Sequence, residues 1–151
     1  MLSVAATVLR TNFFGLSAHA SRRSISDWIF SASKEARPIE VFGDVLFSPL
    51  SMSTLCAIIE KVARLRPPGI FNLGSLGGMS KADFAFAFAA TLALPNHFMT
   101  RSTVDQAGVL KAWRPKDMRM DSSKIEHALG QPMPRLEDEI KLVAKDYRAD
   151  V

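Results

Sequence analysis

Gly69-Ile70-Phe71-Asn72-Leu73-Gly74-Ser75, followed by Met79-Ser80-Lys81-Ala82-Asp83-Phe84-Ala85-Phe86, decides how this chain folds. A short β-branched and aromatic run between glycines predicts a strand, and the amphipathic segment after it predicts a helix. Ser80 predicts the N-cap, with Asp83 three positions on as its capping-box partner. Phe84, Phe88 and Leu92 fall at i, i+4 and i+8, so one helix face is apolar and other segments must cover it. Gly74-x-x-Gly77-Gly78 is not a dinucleotide fingerprint. The G-x-G-x-x-G spacing is absent, and Leu94-Pro95-Asn96-His97-Phe98, about twenty residues on, offers no acid for a ribose. Ser80-Lys81 has the wrong order and spacing for a P-loop. The turn therefore either simply feeds the capped helix or lines a ligand cleft at the strand's carboxyl end.

The surrounding composition suits one ordinary domain: 151 residues, 48% hydrophobic, enough to bury a core. The net charge is +4, without a dominant basic run, which argues against nucleic acid as a partner. Cys56 is the only cysteine, so no disulfide framework exists. Its apolar helical setting predicts a buried small hydrophobe, and a reducing, cytoplasmic compartment is consistent. His19, His97 and His127 lack ligand spacing, so no metal site is expected. No apolar run is long enough to span a bilayer, and no membrane partner is expected. Residues 1–26 hold Arg10, Arg22 and Arg23 with no acid before Asp27, the composition of a transit peptide. Val4 to Thr11 reads instead as a buried strand, the reading adopted here.

Residues 4–14 form a near-continuous apolar run closed by Gly15, as in a parallel strand covered on both faces. The chain therefore reads as part of a larger architecture. Ser24 to Ala36 predicts a helix with Ile25, Trp28, Ile29 and Ala32 on one face, stopped by Pro38. Ile39 to Phe42 predicts a short strand, and Val45-Leu46-Phe47-Ser48-Pro49 an apolar loop. Ser51 or Ser53 caps a helix carrying Leu55, Ile58, Ile59 and Val62 inward. Met99 to Val104 is a further strand. Ser122 or Ser123 caps a short helix ended by Gly130. Leu136 to Tyr147 is the last helix, with Leu136, Ile140, Val143 and Ala144 inward and Glu137, Asp138 and Glu139 on a solvated face at its N-terminus. Strands alternating with helices predict an α/β fold.

Catalytic signals are absent. There is no G-x-S-x-G elbow. Tyr147 is the only tyrosine and position 151 is valine, so no Tyr-x-x-x-Lys pair exists and no catalytic residue is assigned. Arg114 is the one ligand candidate chosen from the residues alone. It lies in a segment, Lys111 to Lys124, with five bases and two acids, and its planar fork suits a phosphate. A solvated loop with local Arg–Asp pairs is the plainer account of that segment.

Several motifs together resemble a known family. Val8-Leu9-Arg10-Thr11-Asn12-Phe13-Phe14-Gly15 is similar to a late strand of extended short-chain dehydrogenase/reductases. Arg37-Pro38-Ile39-Glu40-Val41, Asp44 and Ser48-Pro49 resemble the strand and loop that follow it there. Gly69-Ile70-Phe71-Asn72-Leu73-Gly74 resembles the "G-I-Y-H-L" strand. Arg114-Pro115, Asp121, Ser123-Lys124 and Leu129-Gly130 resemble the "R-P … D-x-S-K … L-G" tail. The nearest group is the dTDP-4-dehydrorhamnose reductases of nucleotide sugars, over about Val4 to Tyr147. The likeness implies the C-terminal portion of a Rossmann-like fold: residues 1–15 as the last part of the nucleotide-binding sheet, 16–151 as a substrate-binding lobe. In that family a lysine-paired tyrosine donates a proton while NAD(P) gives hydride to a 4-keto sugar. The glycine fingerprint and the tyrosine–lysine pair are missing here. The resemblance thus implies a nucleotide-sugar substrate, a missing N-terminal half or a homo-oligomer as partner, and no NAD(P) binding or activity by this chain alone. It places Asn12, Ser24, Phe47, Ser48 and Arg114 at the substrate. Ser24 stands where rhamnose-forming members often carry Asn, and Phe47 and Leu50 replace a usual Gly and Thr. A non-catalytic interaction module on the same fold is the alternative, docking through the strand edge near Val8 and the Val45-Leu46-Phe47 loop.

Overall fold

The computed structural model describes residues 6–19, 21–107 and 115–148. Its elements run β1 (Thr7–Thr11), β2 (Phe13–Phe14), α1 (Ile25–Lys34), β3 (Ile39–Phe42), β4 (Leu46–Phe47), β5 (Leu50–Ser51), α2 (Met52–Leu65) and β6 (Gly69–Leu73). They continue β7 (Met79–Ser80), α3 (Lys81–Thr91), β8 (Met99–Ser102), the single turn α4 (Val104–Ala107), β9 (Asp117–Met118), α5 (Ser123–Leu129) and α6 (Leu136–Tyr147). The strands form four small sheets. β1 pairs with β6, β2 with β5 and β3 with β8, all parallel. β4 lies between β7 (antiparallel) and β9 (parallel).

The caps follow from the serines. Ser80 Oγ accepts from the Asp83 amide at 3.0 Å and donates to its carboxylate at 2.6 Å. Ser24 and Asp27 form a full capping box at α1, and Ser51 caps α2. α3 buries Phe84, Phe88 and Leu92, as its spacing requires. Phe84 stands edge-on to Phe14 at 4.9 Å and Phe47 at 5.2 Å, joining α3 to β2 and β4. This core also takes in α1, β3 and α6. A second core, beneath β6, gathers Leu50, Leu55, Ile58, Val62, Phe71, Leu73, Ile125 and Met133.

Six expectations need correction. Val45 to Pro49 is not a free apolar loop: Leu46–Phe47 is a strand, and Val45 and Phe47 are core residues. Ile59 points outward at 45% exposure, and Cys56 is exposed rather than buried. The inward stripe of α2 is Leu55, Ile58 and Val62, and both misread residues lie beside it. β1 is not covered on both faces. Val8 and its register partner Ile70 are 46% and 49% exposed, while Phe71 and Leu73 face the second core. Glu139 is buried, because its chain reaches inward to α2. Neither Ser122 nor Ser123 caps α5 with its side chain: Ser122 is the N-cap residue, but its hydroxyl bonds Gly74 instead.

Candidate functional site

Strands β1 and β6 end side by side, Thr11 opposite Leu73, and the chain segments beyond them build the site. Asn12 follows β1 directly. Its Nδ2 donates to the Met118 carbonyl at 3.4 Å, while its Oδ1 is buried without a partner. Ser48, after β4, accepts at Oγ from the Met120 amide at 2.8 Å. Its carbonyl accepts from the Ser75 amide at 2.9 Å. Asn12 and Ser48 thus pin the segment Asp117–Met120 against the strand ends. Gly74 lies in the same knot: a Cβ there would stand 2.5 Å from Ser48 Oγ and 2.7 Å from Met120 Cβ. Its amide and carbonyl are bound by Ser122 Oγ at 2.9 and 3.1 Å.

A cavity of about 300 Å³ opens beside this knot, lined among others by Ser48, Ser75, Gly77, Arg119, Asp121 and Glu126. The turn after β6 therefore borders a cleft as well as feeding α3. Phe47 lies in the core against Phe84. Ser24 caps α1 and donates to the Gly15 carbonyl at 2.6 Å, fastening the chain just beyond β2. Asn12 and Ser48 converge on one segment, Phe47 backs it from the core, and Ser24 sits in a separate network. Arg114 lies outside the described residues.

The described cations of this basic stretch, Lys116, Arg119 and Lys124, are each engaged by a neighbouring group. Lys116 bridges Asp44 at 2.9 Å and Asp105 at 2.6 Å, and those carboxylates, Asp105 foremost, raise its pKa. Arg119 binds Asp117 through two nitrogens, at 2.9 and 2.6 Å, and holds that carboxyl down at about 2. Lys124 donates to the Ile70 carbonyl and covers the Phe71 ring at 4.7 Å. Each of these three cations has a partner.

Sequence reasoning missed one group near the strand ends: Ser75 is buried with an unpartnered hydroxyl, a state no pattern of polar residues announces. Tyr147, from the last turn of α6, donates to Asp27 Oδ1 at 2.5 Å and Ser26 Oγ at 3.1 Å. Burial and the Asp27 bond push its phenol well above the ordinary range. It is fully buried and packs against Phe30 and Phe88.

The turn after β6 does not fit a dinucleotide. Its first three amides are already engaged, Gly74 with Ser122 Oγ, Ser75 with the Ser48 carbonyl and Leu76 with the Pro134 carbonyl. A pyrophosphate needs such donors free. Among the described residues no group of three His, Cys, Asp or Glu is placed to hold a metal ion. No described helix is long and apolar enough to cross a membrane.

Parallel strand pairs, covering helices and a cleft beyond the strands' carboxyl ends define an α/β protein of Rossmann-like type. The family model for the RmlD substrate binding domain matches residues 3–149, and the chain belongs to that family. Its fold is similar to dTDP-4-dehydrorhamnose reductase of Bacillus anthracis in complex with NADP. The TM-score is 0.81 at 19% identity, over 93% of this chain and 48% of that one. The reductase of Yersinia enterocolitica gives 0.79 at 19% identity, over 93% of this chain and 49% of that one. The enzyme WbmG of Bordetella bronchiseptica, in complex with NAD, gives 0.74 at 19%, over 97% and 44%. The fold class is thus that of extended short-chain dehydrogenase/reductases, and the chain spans about half the length of these solved structures. Among curated proteins none matches.

Proposed function

We propose that this chain is the ligand-holding lobe of an NAD(P)-dependent nucleotide-sugar oxidoreductase of the dTDP-4-dehydrorhamnose reductase type, inactive alone. Residues 1–15 complete a Rossmann-type sheet, and 16–151 form the substrate lobe. The observation that carries the reading is the family match over residues 3–149. Asn12, with its unpartnered buried oxygen, and Ser48 hold the segment that follows Arg114, and Arg114 reaches the diphosphate. Ser24 fixes the chain leaving β2, and Phe47 backs the site from the core. The amides after β6 are engaged, which supports a coenzyme held by a separate nucleotide-binding half, and the assembly is proposed to be cytoplasmic.

The purified chain is expected to show no NAD(P)H oxidation with a nucleotide 4-keto sugar, and measurable turnover would overturn the reading. It is expected to bind dTDP in titration calorimetry. Arg114→Ala then weakens that binding by about 1.5–3 kcal/mol, the scale of a hydrogen bond to a charged group. Unchanged affinity removes Arg114 from the site.

One observation favours the second reading, a non-catalytic interaction module: the uncovered face of β1 and β6 at Val8 and Ile70. The Val45–Phe47 segment, being core, is not part of such a surface. Failure to bind any nucleotide diphosphate, with retained binding to a protein partner, would favour it.

A further inference from the structure

We infer that the cavity between α1, the loop after β2 and the end of α6 binds an oxoanion of the phosphate type, held by Arg23, His19 and Ser31. The inference stands apart from the proposed function, because this cavity shares no lining residue with the cleft beyond β6.

The walls come from three places in the chain. Leu16, Ser17, His19 and Arg23 belong to the loop that runs into the N-cap of α1. Phe30 and Ser31 come from α1 itself, and Tyr147 from the last turn of α6. Asp27, Phe30 and Ser31 share the face of α1 turned away from Ile25, Trp28 and Ile29. The volume is about 190 Å³, below the roughly 300–1,000 Å³ of pockets that enclose a whole ligand. It admits a small ion or the end group of a larger molecule.

The hydrogen-bonding inventory decides the sign. Arg23 and His19 are exposed, and neither side chain has a partner among the described residues. The Ser31 hydroxyl is equally free among them. The Ser17 hydroxyl accepts from the Ser24 amide at 3.2 Å and keeps its own proton to give. The one acid in the wall is already occupied. Asp27 is 9% exposed, and its carboxylate accepts from Tyr147, the Ser17 amide and the Ser24 amide. Open donors around a saturated acceptor suit a group that only accepts, and a guanidinium fork matches phosphate oxygens. The surrounding charge agrees. Arg22 adjoins Arg23, Arg148 adjoins Tyr147, and Lys34 stands 5.3 Å from the Phe30 ring. Against them stand Asp27 and Asp146, while Glu35 is paired with Arg37. The excess of positive charge draws anions toward the cavity.

The test is amide-shift mapping of the full chain titrated with inorganic phosphate, with sodium chloride holding the ionic strength constant. Phenyl phosphate is the second probe. Phosphate is expected to shift the amides of Ser17, Arg23 and Ser31 along saturating curves. Arg23→Gln should weaken phosphate roughly tenfold, the low end for a hydrogen bond to a charged group. Its melting temperature should not change, since the side chain is exposed and unpaired. Ser31→Ala should weaken phosphate about 2- to 5-fold, as for one modest hydrogen bond. Arg135→Gln removes an equally exposed charge at the opposite end of α6 and should leave the affinity as it was. Tighter binding of phenyl phosphate than of phosphate assigns the site to an organic phosphate packed on Leu16 and Phe30. Equal or weaker binding assigns it to the free ion. Shifts that do not saturate and that chloride reproduces overturn the inference. So does an equal loss of affinity in Arg23→Gln and Arg135→Gln.

Discussion

Tyr147 shows how much one hydroxyl can organise. It joins the last turn of α6 to Asp27 and Ser26 at the start of α1, and Asp27 in turn binds the Ser24 amide at 2.8 Å. Burial pushes the Asp27 carboxyl up, but bonds from Ser17, Tyr147 and Ser24 outweigh it and hold the group below the usual carboxylate range. Those bonds favour the ionised form. Their stabilisation is full above the unfolded carboxyl's range and is lost as pH falls through the lowered value. Tyr147→Phe should cost about 1–3 kcal/mol in urea denaturation at neutral pH, leaving the carboxylate short of a donor. It should also flatten the acid limb of stability, whereas an unaltered limb would remove Tyr147 from that coupling. At this scale the sequence was legible where chemistry is local. Ser80, and Ser51 beside Ser53, were candidate caps because a hydroxyl just before an apolar period has one obvious donor to serve. Ser122 looked the same, yet its hydroxyl serves Gly74, 48 positions away. No local rule contains that contact.

Helices were readable through their period, and the two-residue strands were not. Phe84, Phe88 and Leu92 fix the face of α3, but β4, β7 and β9 are too short to show alternation. They exist because the chain around Ser48 and Met120 is packed together. α6 carries the opposite lesson: Glu139 reads as a solvated acid in a run of three, yet it is 3% exposed. Its carboxylate accepts from the Ser51 amide at 2.6 Å and Thr54 Oγ1 at 2.9 Å, so one helix supplies part of another's N-terminal cap. Glu139→Ala should therefore cost about 2–4 kcal/mol, two lost bonds to a buried charge with a cavity left behind. Thermal unfolding of the variant measures this. A loss below that of an ordinary surface change would mean that α2 does not depend on α6.

Across the whole molecule, the parallel ladders leave one face unfinished. Val8 and Ile70 are paired in register and half exposed, where a parallel sheet usually has cover on both sides. Ile70→Lys should change the stability of the isolated chain by no more than about 0.5 kcal/mol. Under the proposed function it should abolish NADPH oxidation recovered by co-expression with the nucleotide-binding half of a reductase. Undiminished recovery would show that this face is not where the halves meet. The α/β class and the likeness to reductases were legible because the motifs stand in order along the chain. The cleft was not, since its walls come from four separate stretches that meet only after folding. The β1–β6 ladder also sets a schedule for synthesis. Thr7 Oγ1 bonds the Pro67 carbonyl across 60 positions. At ribosomal rates of ~5–20 residues per second, β1 waits about 3–12 s for β6. Throughout that interval β1 lacks the ladder that β6 gives it, and its amides and carbonyls on that side stay open to a chaperone.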